Sequence, residues 1–94
     1  MTRVGPVMDE RLILAPGRFA ELVIWRVSER VRGSTRRLKY RLALVVEGVC
    51  VPRYDNKTGK GDHRHVRGAE TRYAFTSYER LLADFWSDVE NWRP

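Results

Sequence analysis

The sequence predicts an α+β domain: an antiparallel β-meander of about four strands with a C-terminal amphipathic helix packed on one face. Three observations carry that prediction. Residues 19–54 hold runs rich in Val, Ile, Leu, Trp and Tyr, separated by Gly33-Ser34 and Glu47-Gly48, which is the spacing of strands and turns. Residues 78–92 change to helical spacing, with Tyr78, Leu81, Leu82, Phe85, Val89 and Trp92 recurring and Trp86 widening the stripe. At 94 residues and 43% hydrophobic content, the chain can build one core and not two.

Residues 1–18 read as an N-terminal arm and residues 19–94 as the single α+β domain. The apolar patch Leu12, Ile13 and Leu14 ends at Pro16-Gly17, which is turn punctuation, and fits either a short edge strand or an arm docking on a partner. Residues 19–31 read as a long strand, apolar on both faces at first and then alternating. The next strand covers residues 37–47, with Leu38, Tyr40, Leu42, Leu44 and Val46 on one face. Register permitting, Arg26, Arg30, Lys39 and Arg41 share a face. Glu47-Gly48 predicts a tight hairpin with Gly48 at positive φ. Residues 49–54 are the returning strand, where Pro52 implies an edge position or a bulge, and Cys50 fits an interior position as a small hydrophobe. Residues 55–62 read as a loop, and residues 63–66 as a short strand pairing back on residues 52–54. Thr76 and Glu79 form a capping box for the helix.

The charge is +6, with a pI near 10.1. Six basic residues fall in positions 30–41 and six more in 53–72, whereas the helix carries Glu79, Asp84, Asp88 and Glu90. A basic sheet opposite an acidic helix attracts polyanions, RNA among them. No apolar run approaches membrane-spanning length, and the first residues lack the apolar core of a secretory signal. One cysteine excludes an internal disulfide and fits the cytoplasm.

The residues able to do chemistry concentrate in positions 49–66. His63 and His65, two apart on a strand, project from one face and suit a general acid–base pair around a phosphodiester. Asp55 is a candidate for orienting one imidazole. Arg53, Lys57, Lys60 and Arg64 are candidates for holding phosphate, and Tyr54 either packs in the core or stacks a base. Arg36, Arg37, Lys39 and Arg41 supply an outer electrostatic track. The Thr58-Gly59-Lys60-Gly61 turn departs from a nucleotide-binding P-loop and at most cradles one phosphate with its amides. Asp55, Asp62, His63 and His65 are also metal-ligand types, but the surrounding Lys and Arg oppose a divalent cation; no metal and no cofactor is expected.

The stretch RLALVVEGVCVPRYDNKTGKGDHRHVRG, followed by YAFTSYERLLADFWSDVENWR, resembles the TumE-like family of small bacterial proteins over roughly residues 18–93. The most specific matches are Arg53-Tyr54-Asp55-Asn56, Gly61-Asp62-His63-x-His65, and the Leu82/Phe85/Trp86 helix. The resemblance implies a toxin of a two-gene toxin–antitoxin module, a neighbouring helix-turn-helix antitoxin as protein partner, and RNA as target. The resulting expectation is a toxin acting on RNA through a metal-independent endoribonuclease site, with no membrane association and with a homodimer left open. The alternative is a non-catalytic module that binds nucleic acid or protein.

Overall fold

The computed structural model describes residues 3–27, 38–57 and 61–93. They form six strands and one helix: β1 (Arg3–Ala15), β2 (Arg18–Val27), β3 (Leu38–Val46), β4 (Val49–Lys57), β5 (Gly61–Val66), β6 (Ala69–Arg72) and α1 (Tyr78–Asn91). The strands make one antiparallel sheet in chain order. The α+β meander is as expected, with six strands rather than about four. The two extra strands lie at the edges. Of the two forms open to the Leu12, Ile13 and Leu14 patch, the edge strand is the one observed, because β1 runs the length of β2. At the other edge β6 follows a hairpin whose Arg67 and Gly68 both have positive φ (49° and 81°). Glu47 and Gly48, at 51° and 78°, repeat that geometry between β3 and β4. Paired positive φ values match the twist of flanking strands, so each two-residue break closes a hairpin directly.

Helix α1 lies across one face of the sheet, over β3 and β4. Alternation on the central strands sends Ala20, Leu22, Ile24, Tyr40, Leu42, Leu44 and Tyr54 to that face, where Leu81 and Phe85 meet them with no exposure. Each fully buried large side chain contributes about 1.5–3 kcal/mol, which fixes the helix to the sheet. Its N-cap is Ser77, whose hydroxyl accepts a hydrogen bond from the Arg80 amide at 3.0 Å. The expected Thr76–Glu79 box is not the cap observed: Ser77 rather than Thr76 adopts the extended cap conformation, and the residue three further on is then Arg80, which cannot complete a box.

Two local expectations change, and a third resolves between its two forms. Residues 55–57 continue β4 instead of opening a loop, since they pair with residues 61–63 on β5. Of the edge position and the bulge open to Pro52, the second is observed: it is buried at the irregularity in the β3–β4 ladder, between Ala43 and Val45 of β3, where a residue without an N–H is tolerated. Cys50 is exposed rather than packed inside. The Gly33-Ser34 turn and Arg30, Arg36, Arg37, Thr58, Gly59 and Lys60 lie outside the described residues.

Candidate functional site

Two alternating tetrapeptides decide which side chains meet. In Arg53-Tyr54-Asp55-Asn56, Tyr54 and Asn56 turn toward the helix while Arg53 and Asp55 turn to the open face. In Asp62-His63-Arg64-His65, Asp62 and Arg64 turn toward the helix while His63 and His65 turn to the open face. Register then sets Asp55 opposite His63 and Arg53 opposite His65. The rows extend to Arg41 and Ala43 on β3, and to Arg72 and Glu70 on β6.

The helix-facing members are structural. The Asn56 side chain, 1% exposed, accepts a hydrogen bond from the Tyr40 amide at 2.8 Å and donates to the Leu38 carbonyl at 2.7 Å. It acts as a short piece of strand at the end of β3. Tyr54 is 2% exposed and packs edge-on against Tyr73 and Phe85. Its hydroxyl donates to Asp88 at 2.7 Å and accepts from Arg64 Nε at 2.9 Å. Burial, then the Asp88 hydrogen bond and charge, hold the Tyr54 phenol well above its ordinary value. Arg64 forks onto Asp88, and that hydrogen bond is the main reason its guanidinium is held even more firmly protonated. Tyr54 has no ring face free to stack a base, and Arg64 is committed to the helix. Neither placement fits the RNA contact considered for it. Asp62 accepts from the Tyr40 hydroxyl at 2.6 Å.

The open-face members form a cluster. His63 Nδ1 lies 3.1 Å from the Gly61 carbonyl oxygen, so Nδ1–H donates there and Nε2 carries the lone pair in the neutral ring. His63 Nε2 and His65 Nε2 approach the same atom, Glu70 Oε1, at 3.7 and 3.8 Å. Asp55 Oδ1 lies 3.9 Å from His65 Nε2, and Asp55 Oδ2 3.2 Å from Arg53 Nε. Arg53 Nε and Asp55 Oδ1 are both shut off from solvent without a hydrogen-bond partner; the Arg53 approach is to the other oxygen, Oδ2, and counts as an ion pair only. Asp55 is therefore near His65, within ion-pair range and beyond hydrogen-bond range. Glu70 escaped the sequence reading. Its only signal was the Arg67-Gly68 hairpin, which fixes Glu70 opposite His65.

Beside the cluster, a depression of about 250 Å³ is lined by Trp25, Lys39, Arg41, Arg53 and Asp55, among others. Lys39 Nζ sits 6.0 Å from the Trp25 ring centre, and Arg41 is 3.6 Å from Glu21. Arg26 does not join them: it pairs opposite Leu38, one residue out of step, and so belongs to the other face. A depression of about 260 Å³ on the helix side is lined by Pro52, Arg64, Asp88 and Trp92, where Arg64 and Asp88 already satisfy each other. Lys57 ends β4; Lys60, Arg36 and Arg37 lie outside the described residues. Among the described residues, no group of three His, Cys, Asp or Glu side chains has the geometry to hold a metal ion, and no helix is long and apolar enough to cross a membrane.

A family model described as Toxin TumE matches residues 6–93. No curated protein and no solved structure matches the chain.

Proposed function

The chain belongs to the TumE toxin family, and from that premise we propose that it acts on RNA, cleaving it by metal-independent acid–base catalysis on the open face of the sheet. A toxin family implies a cognate antitoxin as well. The observation that carries the RNA reading is the convergence of His63 Nε2 and His65 Nε2 on one carboxylate oxygen of Glu70. Two imidazoles that reach one oxygen atom can also address one phosphate.

In this mechanism Glu70, half-exposed on a four-residue edge strand, swings aside as phosphate enters. His63 Nε2 takes the proton of the ribose 2′-hydroxyl while the 2′-oxygen forms its bond to phosphorus. The bond from phosphorus to the 5′-oxygen breaks, and the imidazolium of His65 gives that oxygen its proton. The products are a 2′,3′-cyclic phosphate and a 5′-hydroxyl. Arg53, with Arg41 and Lys39 in the adjoining depression, stabilises charge on the phosphoryl oxygens, and Asp55 faces His65. Lys57, Lys60, Arg36 and Arg37 add to the positive charge that attracts the RNA backbone. A helix-turn-helix antitoxin with an acidic segment would neutralise this face.

The second reading is a non-catalytic module that grips nucleic acid or protein. It draws on Asp55 and Glu70, whose charges oppose a phosphate at the histidines. A cleavage assay with RNA in excess, run in EDTA, separates the two. Turnover that leaves cyclic phosphate ends, spares a 2′-deoxy substrate and is lost in both His63→Ala and His65→Ala supports the nuclease. Salt-sensitive binding without turnover establishes the binding module.

A further inference from the structure

The longest strand of the sheet is also its edge. β1 spans 13 residues, is bonded to β2 on one side, and among the described residues has no strand on its other side. The opposite edge, β6, has four exposed residues. Four of the five exposed large hydrophobic side chains among the described residues belong to β1: Val7 (57% exposed), Leu12 (39%), Ile13 (72%) and Leu14 (41%). A long apolar edge is a template for another strand.

The order of residues along β1 says which strand. We propose that β1 is a homodimer interface, in which two copies pair β1 with β1 antiparallel about a two-fold axis through Glu10, joining their sheets into one. The β1–β2 ladder is regular from Met8 to Ile13, with irregularities at Val7 and Leu14; within the regular stretch an axis perpendicular to the sheet keeps matching faces together, so residue i can face only a residue j for which i + j is even. Centring on Glu10 sets Met8 against Leu12 of the second copy and Asp9 against Arg11, and brings Val7, at the irregularity, to the level of Ile13. Apolar meets apolar, and opposite charges meet, in every pair but the central one. Centring on Asp9 sets Met8 against Glu10, and centring on Arg11 sets Asp9 against Ile13. The charges of Asp9, Glu10 and Arg11 thus have a double role: they blunt the edge against indiscriminate pairing and select one register with a second copy. At the axis the two Glu10 side chains face each other, an opposition of like charges that the other pairs must outweigh. The interface lies at the far edge of the sheet from β5 and β6 and leaves His63 and His65 uncovered.

Sedimentation equilibrium on the full chain across micromolar concentrations tests the interface, with near-ultraviolet circular dichroism confirming that each variant is folded. Wild type is expected to be a dimer. Ile13→Lys, Asp9→Arg and Arg11→Asp should each weaken it at least tenfold. The double exchange Asp9→Arg with Arg11→Asp should restore it, because both cross-axis pairs are rebuilt with their signs reversed. Arg11 also lies over the Phe19 ring at 3.9 Å, but the exchange does not rebuild that contact, so recovery reports on the interface alone. Glu10→Gln should tighten the dimer several-fold. A monomeric wild type, including one whose β1 is covered by an antitoxin instead, overturns the proposal. So does a dimer indifferent to Ile13→Lys, or a double exchange no better than its single variants.

Discussion

The Arg64 guanidinium holds the Asp88 carboxylate through two hydrogen bonds of 2.9 Å, on the side of the sheet opposite its neighbours His63 and His65. A basic residue within the histidine motif is thus a tie to the helix, and its substitution should act on stability. Breaking a charged hydrogen-bonded fork of this kind costs roughly 1–3 kcal/mol, and it also strips Tyr54 of a partner. Arg64→Ala should therefore lower the melting temperature by roughly 5–20 °C for a domain of this size. Arg64→Lys should recover less than half of the loss, since an ammonium cannot make the planar fork. Thermal unfolding followed by circular dichroism measures both.

Asn56 makes the second prediction. Its side chain is the hydrogen-bond partner of the Tyr40 amide and the Leu38 carbonyl at the end of β3. Asn56→Ala leaves both backbone groups without that partner in a buried place and should cost on the order of 2–4 kcal/mol. Asn56→Asp keeps the acceptor but replaces the donor with a charge facing a carbonyl, and should cost more. Urea midpoints at constant slope rank the two variants.

Two tyrosines set the response to alkali. Burial first, then the hydrogen bond to Asp88, raises the Tyr54 phenol; burial first, then the bond to Asp84, raises Tyr73. A phenol with a raised folded value keeps its proton while the unfolded chain loses one above about pH 10. The stabilising contribution is therefore complete below about pH 10 and is lost as pH climbs from there through the folded value. Urea midpoints should fall above pH 10 less steeply in the Tyr54→Phe, Tyr73→Phe double variant than in wild type. Equal slopes would remove these two groups from the alkaline transition.

Glu70 gives a prediction tied to the proposed chemistry. Its carboxylate occupies the point where both Nε2 atoms converge, so phosphate must displace it. With the side chain half-exposed, the contact to displace is an ordinary surface ion pair of roughly 0.2–1 kcal/mol. Glu70→Gln should then lower KM for RNA by roughly 1.5- to 5-fold without lowering kcat. A loss of kcat would make Glu70 a positioning residue for the histidines instead.

Electrostatic binding along Lys39 and Arg41 is open to a salt titration. If each neutralises one phosphate, Lys39→Ala and Arg41→Ala should each reduce the slope of log affinity against log salt by about 0.7–1. Unchanged slopes would move the RNA path off this part of the sheet.

Much of this was legible in the sequence, and for definite reasons. Helical spacing from Tyr78 to Trp92 and the glycine-marked hairpin at Glu47-Gly48 are local signals, and both elements formed as the residues dictate. The period of two also placed His63 and His65 on one face. The edge strands were harder to read. β1 carries Asp9, Glu10 and Arg11 in its middle, so its pattern is neither apolar nor cleanly alternating, and only pairing with β2 makes it a strand. Residues 55–57 look like loop by composition, and pairing with β5 overrides that preference.

By itself the sequence determined the class of the fold, the helix and its buried stripe, the basic charge, and the family to which the chain belongs. All of these follow from periodicity, composition or contiguous motif. Tertiary structure alone decided which charged residues remain available. Alternation sets Arg53 and Arg64 on opposite faces of the sheet but does not say which face the helix covers; in the fold one faces the histidine cluster and the other is bound to Asp88. Glu70 entered the cluster the same way, through register across a two-residue turn. Strand alternation fixes that two residues lie on opposite faces, but only the helix, by docking on one of them, decides which face stays open for chemistry.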